Sequence, residues 1–292
     1  MHKSIEQFFE VRIKEDRAMT FSSRFNRSSH LAIVIFLISF SCAQAASLRP
    51  ETVQAWEEYI QEANTRVQQR LTPGSSFLWM DEAEERGAKA RNKQIVVSPV
   101  GPHIPRKIPS GLIHDWIAVA FMPKLTISDV LPVIRDYDRY KEFYHPNVID
   151  SKTIELHDSR DRFSTVLINK VFFKKTALDS DYEASYFRVD ARRLYTISQS
   201  TRIQEIAEYG ATGEHALPEN EGTGLIWRLY TVIRFEERDG GLYTEVEAIA
   251  LSRDIPRAMA AIANPIVRRV SRDSLFTALK QTEAAVRLKA TL

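Results

Sequence analysis

Only one of the 292 residues is cysteine, Cys42, and it lies in an apolar run near the N-terminus. The chain beyond it has no disulfide, no free thiol and no thiolate for a metal, so its fold must rest on a hydrophobic core. Catalytic signatures are missing too. The sequence holds no H-E-x-x-H, G-x-S-x-G, C-x-x-C or G-x-G-x-x-G and no P-loop, so the usual metallopeptidase, hydrolase, dithiol and nucleotide sites lack their residues. The seven histidines are scattered, none paired at metal-ligand spacing, and no nucleophile stands beside an evident base. Neither a metal nor another cofactor is expected. No repeat or low-complexity tract interrupts the chain.

A large charge of one sign is also missing. Residues 31–42, LAIVIFLISFSC, are too short to span a bilayer comfortably, and Ala43-Gln44-Ala45 follows with small residues where signal peptidase needs them. Residues 1–45 are therefore expected to be a cleaved secretory signal ending near Ala45, with an uncleaved anchor as the alternative and Met19 as an alternative start. Phe40 makes SFSC a poor lipobox. Taking away the six basic and four acidic residues of this segment leaves 34 of each, a neutral mature chain. Nothing remains of the basic footprint that nucleic acid would need. The expected location is the periplasm, with the medium as the alternative.

What the chain does contain is 44% hydrophobic residues arranged in two periods. Val53, Trp56, Ile60, Ala63, Val67 and Leu71 recur at helical spacing and predict a helix over 51–71, closed by Pro73-Gly74. Pro99, Gly101, Pro102, Pro105, Pro109 and Gly111 mark an irregular linker, which divides an N-terminal part, 46–109, from a main domain, 110–292. That domain opens with a strand ending at Pro123 and a helical stretch through SDVLPVIRDYDRY and KEFYHP. Strands are predicted at 147–157, 162–173, 175–188, 192–206, 224–237 and 242–252. Asn264-Pro265 then reads as the start of a long C-terminal helix.

The last two strands are the most informative. An Asp239-Gly240 turn sets Arg234 opposite Glu245, whereas a Gly240-Gly241 turn would oppose Glu236 and Glu245. In the favoured register Phe235 meets Thr244, Ile233 meets Val246, Thr231 meets Ala248 and Leu229 meets Ala250. Trp227, Leu229, Ile233 and Phe235 are then expected on a buried face, and Arg234 and Glu245 on a wet one, with Glu247 beside them. The buried face is bulky on one strand and small on the other. Either the alanines let a helix dock closely, or a gap is left for a ligand.

The stretch MPKLTISDVLPVIRDYDRYKEFYHPNVIDSK at 122–152, with Asp136-Tyr137, Tyr144 and Pro146-Asn147-Val148, resembles the START-like (SRPBCC) superfamily. So does the closing order of a GGLYTEV strand, LSRDIP and a helix through NPIVRRVSRDSL; this order looks like exported bacterial members with no assigned activity. The resemblance covers about 110–290. It implies an α+β helix-grip fold, a curved antiparallel sheet of about seven strands wrapped on the C-terminal helix, here with an N-terminal helical extension. It also implies a hydrophobic cavity between sheet and helix, in a superfamily whose members bind lipids, sterols, quinones or polyketides and include cyclases and aromatases. On that footing the ligand-binding set is Trp227, Leu229, Thr231, Ile233, Val246, Ala248 and Ala250 of the hairpin, with Tyr144, Ile266 and Val270.

Other polar residues are weighed as follows. His114 and Asp115, adjacent on a strand, point to opposite faces and form no dyad; a rim position is expected. Tyr137, Tyr140, Tyr144 and His145 either hydrogen-bond a ligand or pack on the sheet. Arg268, Arg269 and Arg272 read as an exposed helix face, with anionic lipid contact as the weaker alternative. The function expected is non-catalytic binding or transport of a hydrophobic small molecule or lipid, with transient membrane contact. A cyclase-, aromatase- or hydrolase-type enzyme and an exported structural protein with a filled core are the alternatives.

Overall fold

Alternation of buried side chains along the strands builds a sheet that is covered on both faces. The computed structural model describes residues 46–171, 174–255 and 257–290, with side chains described outside 169–176 and 257–264. The expected signal segment lies outside the described residues. In chain order the elements are β1 (Ala46–Ser47), α1 (Pro50–Gln69), a 3-10 turn (Trp79–Glu82), α2 (Glu84–Arg91), β2 (Val96–Pro99), β3 (Arg106–Ile108) and β4 (Gly111–Pro123). Then come α3 (Ile127–Ile134), a 3-10 turn (Tyr137–Arg139), α4 (Tyr140–Phe143), β5 (Val148–Leu156), β6 (Arg160–Val171), β7 (Lys174–Arg188) and β8 (Arg193–Ala207). β9 (His215–Ala216), β10 (Glu221–Gly222), β11 (Arg228–Arg238), β12 (Gly241–Arg253) and α5 (Arg257–Lys289) complete the chain. None of the described helices is long and apolar enough to cross a membrane.

The antiparallel sheet runs β2-β4-β12-β11-β8-β7-β6-β5, with β3 added to β4 and β9 to β8. It has ten strands where about seven were expected. The additions are short: β2 ends at Pro99, where the stretch read as a linker begins, and β3 lies within that stretch. Prolines and glycines there break regularity without preventing brief pairing with β4.

The hairpin register is the expected one: Arg234 faces Glu245, Leu229 faces Ala250, and Asp239 and Gly240 form the turn with φ of 56° and 75°. Two positive φ values in a two-residue loop define the turn whose twist matches the strands it joins.

One face of the sheet, the concave one, receives α3, α4 and α5. Leu275, Leu279, Ala285 and Val286 of α5 pack with Trp116, Ala118, Ala120 and Met122 of β4 and with Val130 and Val133 of α3. The opposite, convex face receives α1. Trp56, Tyr59, Ala63 and Val67 pack on Ile113, Ile117, Tyr230, Val232, Ile249 and Leu251, together with Phe77 to Met80. The expected wet face is thus a buried one: Arg234 is 1% exposed, Glu245 0% and Glu247 3%. The N-terminal extension covers it, which is why a one-sided reading of the hairpin failed.

Two further expectations need correction. Pro265 lies within α5, which begins at Arg257, because a helix can continue past a proline at the cost of a hydrogen bond and a local bend. Trp227 does not share the concave face. It precedes the first paired residue of β11 and packs in the convex core beside Tyr230 and Val232, so the two-residue alternation does not apply to it. A close approach at Gly224, φ 68°, where an added Cβ would meet the Trp227 ring at 2.8 Å, turns the chain there.

Candidate functional site: an apolar floor and a buried charge cluster

The register carries the concave face across five strands, β12, β11, β8, β7 and β6, in rows. One row runs Ala250, Leu229, Ser200, Tyr182, Phe163; the next runs Ala248, Thr231, Ser198, Ala184, Asp161; a third runs Val246, Ile233, Thr196, Tyr186. In β11 and β12 the side chains of these rows, Leu229, Thr231, Ile233, Val246, Ala248 and Ala250, are all half-exposed, while their alternates on the convex face are buried. The burial is inverted relative to polarity. Arg234, Glu245 and Glu247 are inside, and six mainly apolar residues touch solvent. Soluble proteins rarely leave contiguous apolar surface accessible without a use for it.

The reason the floor stays open lies in where α5 docks. Its packing stripe, Leu275, Leu279, Thr282 and Val286, sits over β4 and α3 toward one side of the sheet. Ile233, Val246 and Ala248 pack at the border of this cluster and keep part of their surface, as does Ala250, so they are not simply a seat for the helix. Val270, placed in the expected ligand set, is 38% exposed. It precedes Leu275 by five residues, about 140° around the helix, so it points away from the docking stripe. Ile266 is half-buried. Tyr144 is half-buried and its hydroxyl lies 3.0 Å from Thr282 Oγ1, tying α4 to α5.

The far side of the floor is aromatic and hydroxylated. Tyr137 stacks on Phe163 at 4.1 Å and Phe163 on Tyr182 at 5.0 Å, and Leu229 packs against this group. Thr165 and Ser180 face each other one step along β6 and β7 from Phe163 and Tyr182. Asp161 is buried and fully engaged. It takes two bonds from Arg135, at 2.8 and 2.6 Å, and one from the Tyr137 hydroxyl at 3.0 Å, which also meets Tyr186 at 2.6 Å. Burial pushes the Tyr137, Tyr182 and Tyr186 hydroxyls upward, so they stay protonated donors. His114 is buried, not at a rim, with Nε2 2.9 Å from Ser252 Oγ, and burial alone lowers its imidazole to about 4.

Beneath the floor, on the convex side, lies the cluster that the isolated hairpin could not reveal. Arg66 of α1 donates to Asp115 of β4 at 2.9 Å and to Glu247 of β12 at 3.0 Å. The Tyr59 hydroxyl donates to Asp115 at 2.8 Å. Arg234 contacts Glu245 at 3.3 Å and Glu247 at 3.6 Å, and Glu245 also accepts from the Trp79 backbone at 2.7 Å. Three buried carboxylates lie close together, with Arg66 and Arg234 in contact and Arg70 attracting Glu245, and burial favours holding a proton. Burial, with Glu247 nearby, raises the Asp115 carboxyl. Burial raises Glu245 to about 7, against the pull of Arg234. Among the described residues no group of three His, Cys, Asp or Glu is set to hold a metal.

Arg66, Tyr59 and Trp79 were missed because they stand far from their partners in sequence. A signal did exist. β4 reads GLIHDWIAVAFM, apolar at nearly every position, and Tyr243, Ile249 and Leu251 share the face of Glu245. Strands apolar on both sides are covered on both sides.

No family model matches the chain, and no curated protein is a detectable relative. Among solved structures it is similar to a STAR-related lipid transfer protein fragment from Xanthomonas axonopodis, with 15% identity over 65% of this chain and 98% of that one and a TM-score of 0.41. It is similar to human STARD10 at 10% identity, 74% and 83% coverage and TM-score 0.40. It is likewise similar to the Zhui aromatase/cyclase from Streptomyces sp. R1128 at 9% identity, 61% and 96% coverage and TM-score 0.40. These likenesses are remote. The chain's own strand order, with the long helix on the concave face, defines the class: an α+β helix-grip fold with an N-terminal extension on its convex face.

Removing one member of the charge cluster should be costly. Arg66→Met leaves Asp115 without a cation and Glu247 with Arg234 alone, and is expected to lower stability by about 2–3 kcal/mol in urea unfolding, less than for a fully buried pair because a third of the Arg66 side chain is in water. The raised carboxyls also set a pH trend. A group whose pKa is higher folded than unfolded binds its proton more tightly in the folded state, so its stabilisation is complete below the unfolded value and fades as pH rises. Between the ordinary carboxylate range and about 7, the Glu245 contribution should therefore fall with rising pH. Urea midpoints taken across pH 4–8 should show a flatter profile for Glu245→Gln than for the wild type.

Proposed function

We propose that the concave face binds a hydrophobic small molecule or lipid and performs no chemistry on it. The observation that carries this reading is the accessible apolar floor formed by Leu229, Ile233, Val246, Ala248 and Ala250, on a sheet whose charged residues are buried instead. Such a surface gains about 25 cal/mol per Å² when an apolar ligand covers it. Ser198 and Ser200 extend the floor, and the hydroxyls of Tyr182, Ser180 and Thr165 offer a polar end that would orient an amphiphile. Tyr144 and Ile266 belong to the helical wall of the same site. Export through the segment ending near Ala45, and brief contact with a membrane to load or unload the ligand, complete the reading.

An enzyme of the cyclase or hydrolase type needs at least two free polar groups aimed at the ligand. Asp161 and Glu205, two buried carboxylates on this face, are already engaged, the first by Arg135 and Tyr137 and the second by Thr223, which favours the binder. The half-exposed alanines favour it over a filled core.

Two measurements test the proposal together. Native mass spectrometry of protein purified from its host should find an apolar compound that denaturation releases. Ala250→Phe, which fills the floor, should weaken binding of an apolar fluorescent probe by about tenfold while circular dichroism and the unfolding midpoint hold. If no apolar compound co-purifies and the probe binds wild type and variant equally, the concave face is not the site.

A further inference from the structure

The convex side carries a cavity of its own, about 630 Å³ in volume, between the end of α1, the turn at Trp79 and the segment 98–101. It does not belong to the concave face, and its walls come largely from the N-terminal extension. Ser75 and Ser76 stand on one side, and Arg66, Arg70 and Arg86 reach into its lining. The hydrogen-bond donors there are unevenly matched. Arg66 is engaged by Asp115 and Glu247. Arg70 and Arg86 share a single carboxylate, Glu82, at 2.6 and 3.4 Å.

Glu245 also attracts Arg70, so the charges balance, but the hydrogen-bond count leaves donors over. Arg70 Nη1 and Arg86 Nε are buried donors with no protein acceptor, although Arg86 also donates through Nη2 to the Trp79 carbonyl at 2.9 Å. A buried N–H without an acceptor costs about 1–3 kcal/mol, more when charged. The Arg86 guanidinium lies 4.0 Å from the Trp79 ring centre, which fixes its plane. A preset, planar fork next to a second guanidinium with a donor to spare is the geometry that oxyanions select. The remaining acidic group in the lining, Glu247, is already engaged by Arg66 and Arg234, so it adds little repulsion.

We propose that this cavity is a second ligand site, which takes a small solute bearing a carboxylate or phosphate group between Arg70 and Arg86. The volume admits a molecule of metabolite size and not only an ion. The site is separate from the concave face, so its occupancy would be read independently of any apolar ligand. The extension would then serve both as a cover for the sheet and as the wall of a polar site.

The test is calorimetric titration of the full chain with citrate and, separately, with inorganic phosphate, at fixed ionic strength set by chloride. Saturable binding of either probe is expected. Arg86→Gln and Arg70→Gln should each weaken it by about tenfold, the scale of one charge-assisted hydrogen bond. Lys107→Gln, which removes the same charge at an exposed position paired with Asp254, should leave it unchanged. Ser75→Trp, at an exposed position in the lining, should block the cavity with every charge kept, which guards against an arginine variant that folds poorly. Citrate binding alone identifies a carboxylate site and phosphate binding alone a phosphate site. No saturable binding of either probe, or equal affinity in wild type, Arg86→Gln and Ser75→Trp, overturns the proposal.

Discussion

Arg66 holds two carboxylates on neighbouring strands, Asp115 and Glu247, and the rest of the structure depends on that grip. It is the polar anchor of α1 on the convex face, surrounded by Trp56, Tyr59, Ala63 and Val67 against the strands. A sheet whose convex face is sealed in this way can bury Arg234, Glu245 and Glu247 within one ion-paired network. Without the extension the same residues would need water, and the hairpin would be the ordinary one-sided kind. Coulomb attraction in the interior only offsets the loss of hydration when geometry and hydrogen bonds are good, so removal of any one member is expensive.

Sealing one face changes what the other must do. With the convex side supplying much of the core, the concave side is not obliged to be filled. α5 docks through Leu275, Leu279, Ala285 and Val286 over β4 and α3, and leaves Leu229, Ile233, Val246, Ala248 and Ala250 within reach of solvent. The contrast of bulky β11 and small β12 then becomes intelligible. Leucine and isoleucine give the floor its apolar area, and the alanines give it depth. The aromatic group of Tyr137, Phe163 and Tyr182 closes the far side, where hydroxyls begin to appear.

Much of this was legible in the amino-acid order. The Asp239-Gly240 turn and the Arg234–Glu245 pairing were readable because hairpin register is a local matter of turn chemistry and charge. The strand succession and the C-terminal helix followed from period, and the helix-grip order from resemblance. What stayed hidden was non-local. Arg66 lies 181 residues from Glu247, and nothing in either neighbourhood names the other. Trp227 misled because alternation was carried one residue past the paired strand. Val270 misled because an apolar residue early in the helix was taken to share the stripe of Leu275 and Leu279, from which it is turned away. The continuous apolar run of β4 was the available sign of two-sided burial.

The central claim is that the concave floor, and not the convex core, receives an apolar ligand. It is tested most directly by nuclear Overhauser contacts between a bound apolar ligand and methyl-labelled protein. The account predicts contacts to the methyls of Ala248, Ala250, Leu229 and Ile233 and none to Ile117, Val232 or Ile249. Contacts confined to the convex set, or a bound ligand with no contact to Ala248 and Ala250, would contradict it.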